Sequence, residues 1–166
     1  MTLFVRRDGQ FVARFGPGEA TAVHQVLGEI VSLLTDGFDH GDPVVERLFP
    51  DVYPDDPADS TELRRYTEDD LKAAKLDQAG SVLATLPARG GEVRLDDEQA
   101  EAWLRALNDA RLALGLRLDI RDDTDVVVEL DDAVMRDPTS ARVEALSVYE
   151  YLTYVQLSLV EVVTGG

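Results

Sequence analysis

The chain has 166 residues, no cysteine and a formal charge of −17. Disulfides, thiolate metal sites and cysteine nucleophiles are therefore excluded among these residues, and phosphate backbones and anionic lipids are repelled unless a concentrated basic patch exists. With 45% hydrophobic and 30% charged residues the composition is that of a globular protein. No apolar run has the length of a signal peptide or reaches the roughly 18 residues of a membrane span, so a cytoplasmic protein is expected.

The opening LFVRRDGQFVARF places two alternating apolar runs around Asp8-Gly9, the strongest short signal for a two-residue hairpin turn. A β-hairpin over 1–15 is expected, packed on helices because an isolated hairpin is marginal in water. After GPGE, the residues Ala20, Val23, Leu27, Ile30 and Leu34 share one helical face, and that helix should stop near Asp36-Gly37. From His40 to Asp59 four prolines exclude a long helix. Leu48, Phe49 and Tyr53 should pin this segment to the core, with a short helix around Pro43 to Leu48.

Ser60 to Tyr66 predicts one or two helical turns. Thr67 with Asp70 has the form of a capping box, opening a further helix through Leu71, Ala74, Ala79, Val82, Leu83 and Leu86 as far as Pro87. ARGGEV is read as a loop. Asp96 with Gln99 forms a second capping box, and the helix it starts carries Trp103, Leu107, Ala110, Leu114 and Leu118 as its core stripe. Leu112 and Leu116 point nearly opposite, beside Arg105 and Asp109, so that half of the helix must be covered on two sides or present a contact surface. Asn108, Arg111 and Gly115 line a flank on which Gly115 leaves room for a close neighbour. The β-branched run Val126 to Val128, set in acidic sequence, is read as a strand or extended loop near 126–129 that could join the hairpin. Ser140 to Val163 is apolar around most of its circumference and belongs at the centre of a bundle.

The expected fold is mainly α, a single domain over 1–166. It consists of a helical bundle around a buried C-terminal helix, a helical core over 18–163 with an ordered Pro-rich segment at 40–59, and the small N-terminal hairpin.

Few residues have the spacing that chemistry requires. His24 and His40 are isolated and lack zinc-site spacing. Asp122, Asp123 and Asp125 lack the glycine and terminal glutamate of a calcium loop, and read as a solvated turn. GPG at Gly16 to Gly18 reads as a turn into a helix, and neither a nucleophile elbow nor a phosphate loop is present. No cofactor, metal or catalytic residue is assigned. Arg47, Asn108, Asp109 and Arg111 form the one polar set beside apolar faces. Asp109 or Asn108 is expected to bind Arg47 or backbone groups of the Pro-rich segment, making Arg47 and Asp109 a structural cluster. Asn108, Arg111, Leu112 and Leu116 are the candidate partner contacts.

Three stretches carry a resemblance: RLFPDVYPDD at Arg47 to Asp56, WLRALNDARLALGLRLDI at Trp103 to Ile120, and VYEYLTYVQLSLV at Val148 to Val160. Together they resemble the actinomycete oxidative-stress transcriptional regulator family (AosR-like), formerly catalogued as a domain of unknown function. The similarity spans nearly the whole chain, and ALNDARLALG is its most specific part. It implies a small helical cytoplasmic protein of actinobacteria that acts in transcription through an alternative sigma factor and catalyses nothing. It also implies a gene neighbourhood shared with the ClpS protease adaptor and sulfur-assimilation genes. Redox sensing attributed to the family rests on cysteines, which these residues lack, leaving only Met1 and Met135 as oxidisable sulfur.

Two functions compete. The first is a protein-interaction module whose acidic surface steers it toward a basic region of a sigma factor or polymerase, without direct nucleic-acid or membrane binding. The second is a small-molecule-binding or enzymatic helical domain linked to proteolysis or sulfur metabolism, with a pocket near Asn108 and Arg111. Homodimerisation through Leu112 and Leu116 is compatible with either.

Overall fold

The structure, a computed structural model, describes residues 3–50 and 57–165, with side chains for all of these except 57–66. The hairpin forms where the turn signal places it. Strands β1 (Val5–Arg7) and β2 (Gln10–Phe15) pair antiparallel with Arg7 opposite Gln10. The turn residues Asp8 and Gly9 adopt φ of 53° and 77°, the double positive φ that a tight hairpin needs. A third strand, β3 (Gly91–Leu95), pairs antiparallel with β2, Phe11 opposite Leu95, so β2 is the central strand.

This corrects two expectations. ARGGEV is not simply a loop, since Gly91–Leu95 is the third strand. Gly90 provides the entry: it has φ 85°, and a Cβ there would lie 2.7 Å from the Phe15 carbonyl oxygen, so only glycine lets the chain turn this close to β2. Val126 to Val128, conversely, is no strand. It opens the helix α5 (Val126–Arg136), because Asp125 caps it by accepting from the Val127 and Val128 amides, and Leu130 and Ala133 turn inward. A cap and a buried stripe outweigh the β propensity of three valines.

The helices follow their apolar stripes. In α1 (Pro17–Thr35) the buried residues are Ala20, Val23, Leu27, Ile30 and Leu34, and the helix closes at Asp36. The short α2 (Pro43–Leu48) is capped by Asp42 and buries Val44, Val45 and Leu48; Phe49 is buried beyond it, whereas Tyr53 lies outside the described residues. Helix α3 (Pro57–Thr85) runs unbroken through Thr67, so no helix starts there. Between Ser60 and Leu71 the sequence contains no proline or glycine, and an established helix propagates at little cost. In α4 (Asp97–Arg117) the capping box of Asp96 and Gln99 forms in full. Ser140 caps α6 (Ala141–Thr164).

Trp103 anchors the main core. Its ring lies edge-on to Phe4 at 5.8 Å between centroids and beside Phe15 at 5.7 Å, and its indole N–H donates to Thr85 Oγ1 at 2.8 Å. The hairpin is thereby packed on the helices, and its N-terminal end is tied down by Ser158. The Ser158 hydroxyl accepts from the backbone N–H groups of Leu3 and Phe4, both at 2.9 Å. A second cluster joins the C-terminal part of α1 to α2 and Ala113. A third, smaller cluster of Leu118, Ala133 and Leu146 holds α5 against α6.

Helix α4 touches α1, α2, α3 and α6 and reaches both β2 and β3. The C-terminal helix α6 buries Leu146, Leu152, Val155 and Leu159 but leaves Leu157 62% and Val160 37% exposed. The bundle therefore closes around α4, with α6 as an outer member whose apolar circumference is only partly used.

Candidate partner-binding surface

The polar flank of α4 is built from two ties, one to each neighbouring helix. Toward α3, the buried Asp109 carboxylate accepts two hydrogen bonds from Lys75 Nζ, at 2.9 and 3.0 Å. Both side chains are nearly removed from solvent, at 9% and 13% exposure, so each charge depends on the other. The expected pairing of Asp109 with Arg47 does not occur. Helix α2 turns Val44, Val45 and Leu48 inward, which leaves Arg47 on its exposed side, and Lys75 takes the place beside Asp109.

Toward α6, Arg111 donates from Nε to Thr153 Oγ1 at 3.0 Å and from Nη1 to Gln156 Oε1 at 2.7 Å. Its guanidinium also lies 5.4 Å from the centre of the Tyr149 ring. That ring packs over Gly115, where a Cβ would approach Tyr149 Cε2 to 3.2 Å. The space left by Gly115 is thus filled by Tyr149, and Arg111 is a bridge between two helices. Of the four candidate contacts, Asn108 and Leu116 face solvent, Leu116 being 42% exposed. Leu112 is half-buried against the cluster of α1 and α2. Of the second apolar side of α4, Leu112 is therefore partly covered by this cluster and Leu116 is left open.

The open apolar surface lies elsewhere. On α6, Leu157 and Val160 continue toward the C-terminus beyond the part of the helix that α5 covers. On α5, Val127, Val128, Val134 and Met135 turn outward with exposures of 57%, 51%, 40% and 86%. Sequence reasoning missed both sets. The full apolar circumference of 140–163 was the available signal for α6, but it reads equally as complete burial. In α5 the reading of Val126 to Val128 as a strand hid the helical faces.

Both histidines and Asp125 have local neighbours. His24 Nε2 lies 2.6 Å from the Leu86 carbonyl oxygen, His40 Nε2 lies 3.1 Å from Glu68 Oε1, and Asp125 caps α5. Among the described residues no group of three or more His, Cys, Asp or Glu is placed to hold a metal ion. Burial, with Glu19 and Tyr154 adding to it, pushes the Tyr151 phenol far above its usual range, so this ring stays neutral. A cleft of about 260 Å³ opens between α1 and α6 over Leu114, away from Asn108 and Arg111. Among the described residues no helix is long and apolar enough to cross a membrane.

The family described as a domain of unknown function (DUF2017) matches residues 1–163 of this chain. The chain belongs to that family. Relatives of this DUF2017 chain named oxidative stress regulator AosR, from Mycobacterium tuberculosis and Mycobacterium bovis, are each 31% identical over 194 aligned positions, covering 96% of this chain and 85% of theirs. A Mycobacterium leprae relative is 34% identical over 134 positions, covering 72% of this chain and 57% of its own length. The longer alignment of 194 positions exceeds the 166 residues here, so those relatives carry inserted residues that this chain lacks. No solved structure matches.

Proposed function

We propose that this chain is a regulator of the oxidative stress response that works by binding another protein, an alternative sigma factor or RNA polymerase, and catalyses no reaction itself. The supporting observation is the exposed apolar surface of α5 and α6 on a chain of net charge −17. Apolar side chains supply contact area, while the surrounding carboxylates favour a basic partner and speed encounter with it. The names of the mycobacterial relatives supply the biological context. Because these residues contain no cysteine, an oxidation response of this chain would run outside thiol chemistry.

Titrating the purified chain against RNA polymerase core and alternative sigma factors, at rising sodium chloride, tests the reading. One of them should bind saturably, with affinity falling as salt screens the charges. Binding indifferent to salt, or no binding to any of these proteins, would refute it.

The cleft between α1 and α6 supports a second reading, a small-molecule site. Ala22, Val26, Leu114 and Val148 line it together with Glu29 and Glu144, a combination suited to an amine with an apolar body. Thermal-shift screening with amine metabolites separates the two readings, since only a ligand site predicts a saturable rise in melting temperature.

A further inference from the structure

Helix α5 is peripheral, and its side chains divide sharply into two sets. Ala133 is buried, and Val126 and Leu130 pack on the small third cluster. The helix is further tied to α6 by the Glu129 to Arg142 ion pair at 3.2 Å. The outward face carries Val127, Val128, Val134 and Met135, all more than a third exposed. Val127, Asp131 and Met135 follow at i, i+4 and i+8 and so share that face, with Val128 and Val134 flanking Asp131 three residues to either side. Asp131 is itself exposed. The result is a ring of four apolar side chains around one carboxylate.

Two further features distinguish this face from scattered surface apolar residues, which are normal. Valine is a mediocre helix former, so Val127 and Val128 at exposed positions of a helix contribute neither propensity nor burial to this fold. The surroundings are also strongly acidic. From Asp119 to Asp137 the sequence has eight carboxylates (Asp119, Asp122, Asp123, Asp125, Glu129, Asp131, Asp132, Asp137) and two arginines (Arg121, Arg136).

We propose that the outer face of α5 is a docking helix for an apolar groove bordered by lysine or arginine on another protein, with one basic side chain of that groove reaching Asp131. The proposal rests on the reading of the chain as a protein-binding regulator and specifies where it binds and what chemistry it recognises. A second copy of the chain is the wrong occupant. Two-fold pairing of this face would set Asp131 against Asp131 and bring two acidic segments together, a like-charge contact that opposes association. A basic groove satisfies the apolar ring and its charged rim at once, in the manner of amphipathic helices laid into grooves.

The test uses a synthetic amphipathic leucine/lysine helical peptide as the probe, followed by amide chemical shifts of the full chain. Two control peptides accompany it: one with the same charge but alanine in place of leucine, and a leucine/glutamate peptide. Shift changes should centre on 126–136. Val128→Ser/Met135→Ser and Asp131→Lys should each weaken binding about ten-fold or more, as loss of a contact centre does. Leu71→Ser on α3, 41% exposed and outside both open apolar sets, should leave binding unchanged. All these side chains are exposed, so an unchanged melting curve verifies the fold of each variant. Equal binding of the alanine control would mean charge alone acts, and shifts centred on α6 or on the α1/α6 cleft would place docking elsewhere. Either result overturns the α5 assignment, as does absence of probe binding. The protein-binding reading falls only if the polymerase and sigma-factor titration also fails.

Discussion

At the residue scale the most consequential pair is Lys75 and Asp109. Two hydrogen bonds between nearly buried charges offset desolvation only while both partners remain. Lys75→Met or Asp109→Leu alone strands one charge and should cost about 3 kcal/mol, whereas the double variant should cost clearly less than the sum. Urea denaturation of the four proteins measures this, and additive losses would mean that the pair is not coupled. The sequence showed that Asp109 needed a partner but not which one. Arg47 and Lys75 are both basic and distant in sequence, and only the rotation of α2, set by Val44, Val45 and Leu48, decides between them. Met135 is a different case, since it makes no buried contact at 86% exposure. Peroxide transfers one oxygen to its thioether, giving the sulfoxide and water. The oxidised chain should melt as before yet bind the leucine/lysine probe more weakly, and Met135→Leu should make probe binding insensitive to peroxide. Equal sensitivity of Met135→Leu would remove this residue from the contact.

Among the elements, legibility tracks how local the deciding interaction is. The Asp8-Gly9 turn, the stripe of α1, the Asp96 and Gln99 capping box and the start of α6 at Ser140 are all settled within a few residues, and the structure has each of them. Strand β3 depends on pairing with β2, some eighty residues earlier, and the brief alternation of Glu92, Val93, Arg94 and Leu95 is too short to name that partner. The open surface of α6 was hidden for a related reason: an all-apolar helix shows that it will be covered somewhere, not which face its neighbours leave bare. Helix α5 was hidden by competition between two local signals, the valines against the Asp125 cap, and the cap prevailed with help from the third cluster. Asp125→Ala should therefore cost about 1 kcal/mol. Because α5 is held by a small cluster, the loss should appear as faster amide exchange confined to 126–136, with β2 and α4 unchanged. Uniform acceleration across the chain would show that α5 unfolds only together with the main core.

For the whole molecule, the charge of −17 acts on two equilibria in opposite directions. Within the chain, carboxylates that are mostly unpaired repel one another and favour expansion, so screening them should stabilise the fold. Between the chain and a basic partner the same carboxylates attract, so screening should weaken the complex. Raising sodium chloride from low to physiological strength should therefore lift the melting temperature of the free chain while lowering its affinity for the leucine/lysine probe and for the polymerase partner. The surface ion pairs run against the first effect only slightly. Arg105 with Glu101 and Arg121 with Asp119 are largely exposed, and such pairs contribute at most about 1 kcal/mol each. The buried Lys75 and Asp109 pair should hardly respond to salt. Calorimetric melting alongside binding titration over one salt series measures both slopes on the same preparation. If melting temperature and affinity moved together, the negative surface would be acting mainly within the fold, and its role in choosing a basic partner would fall.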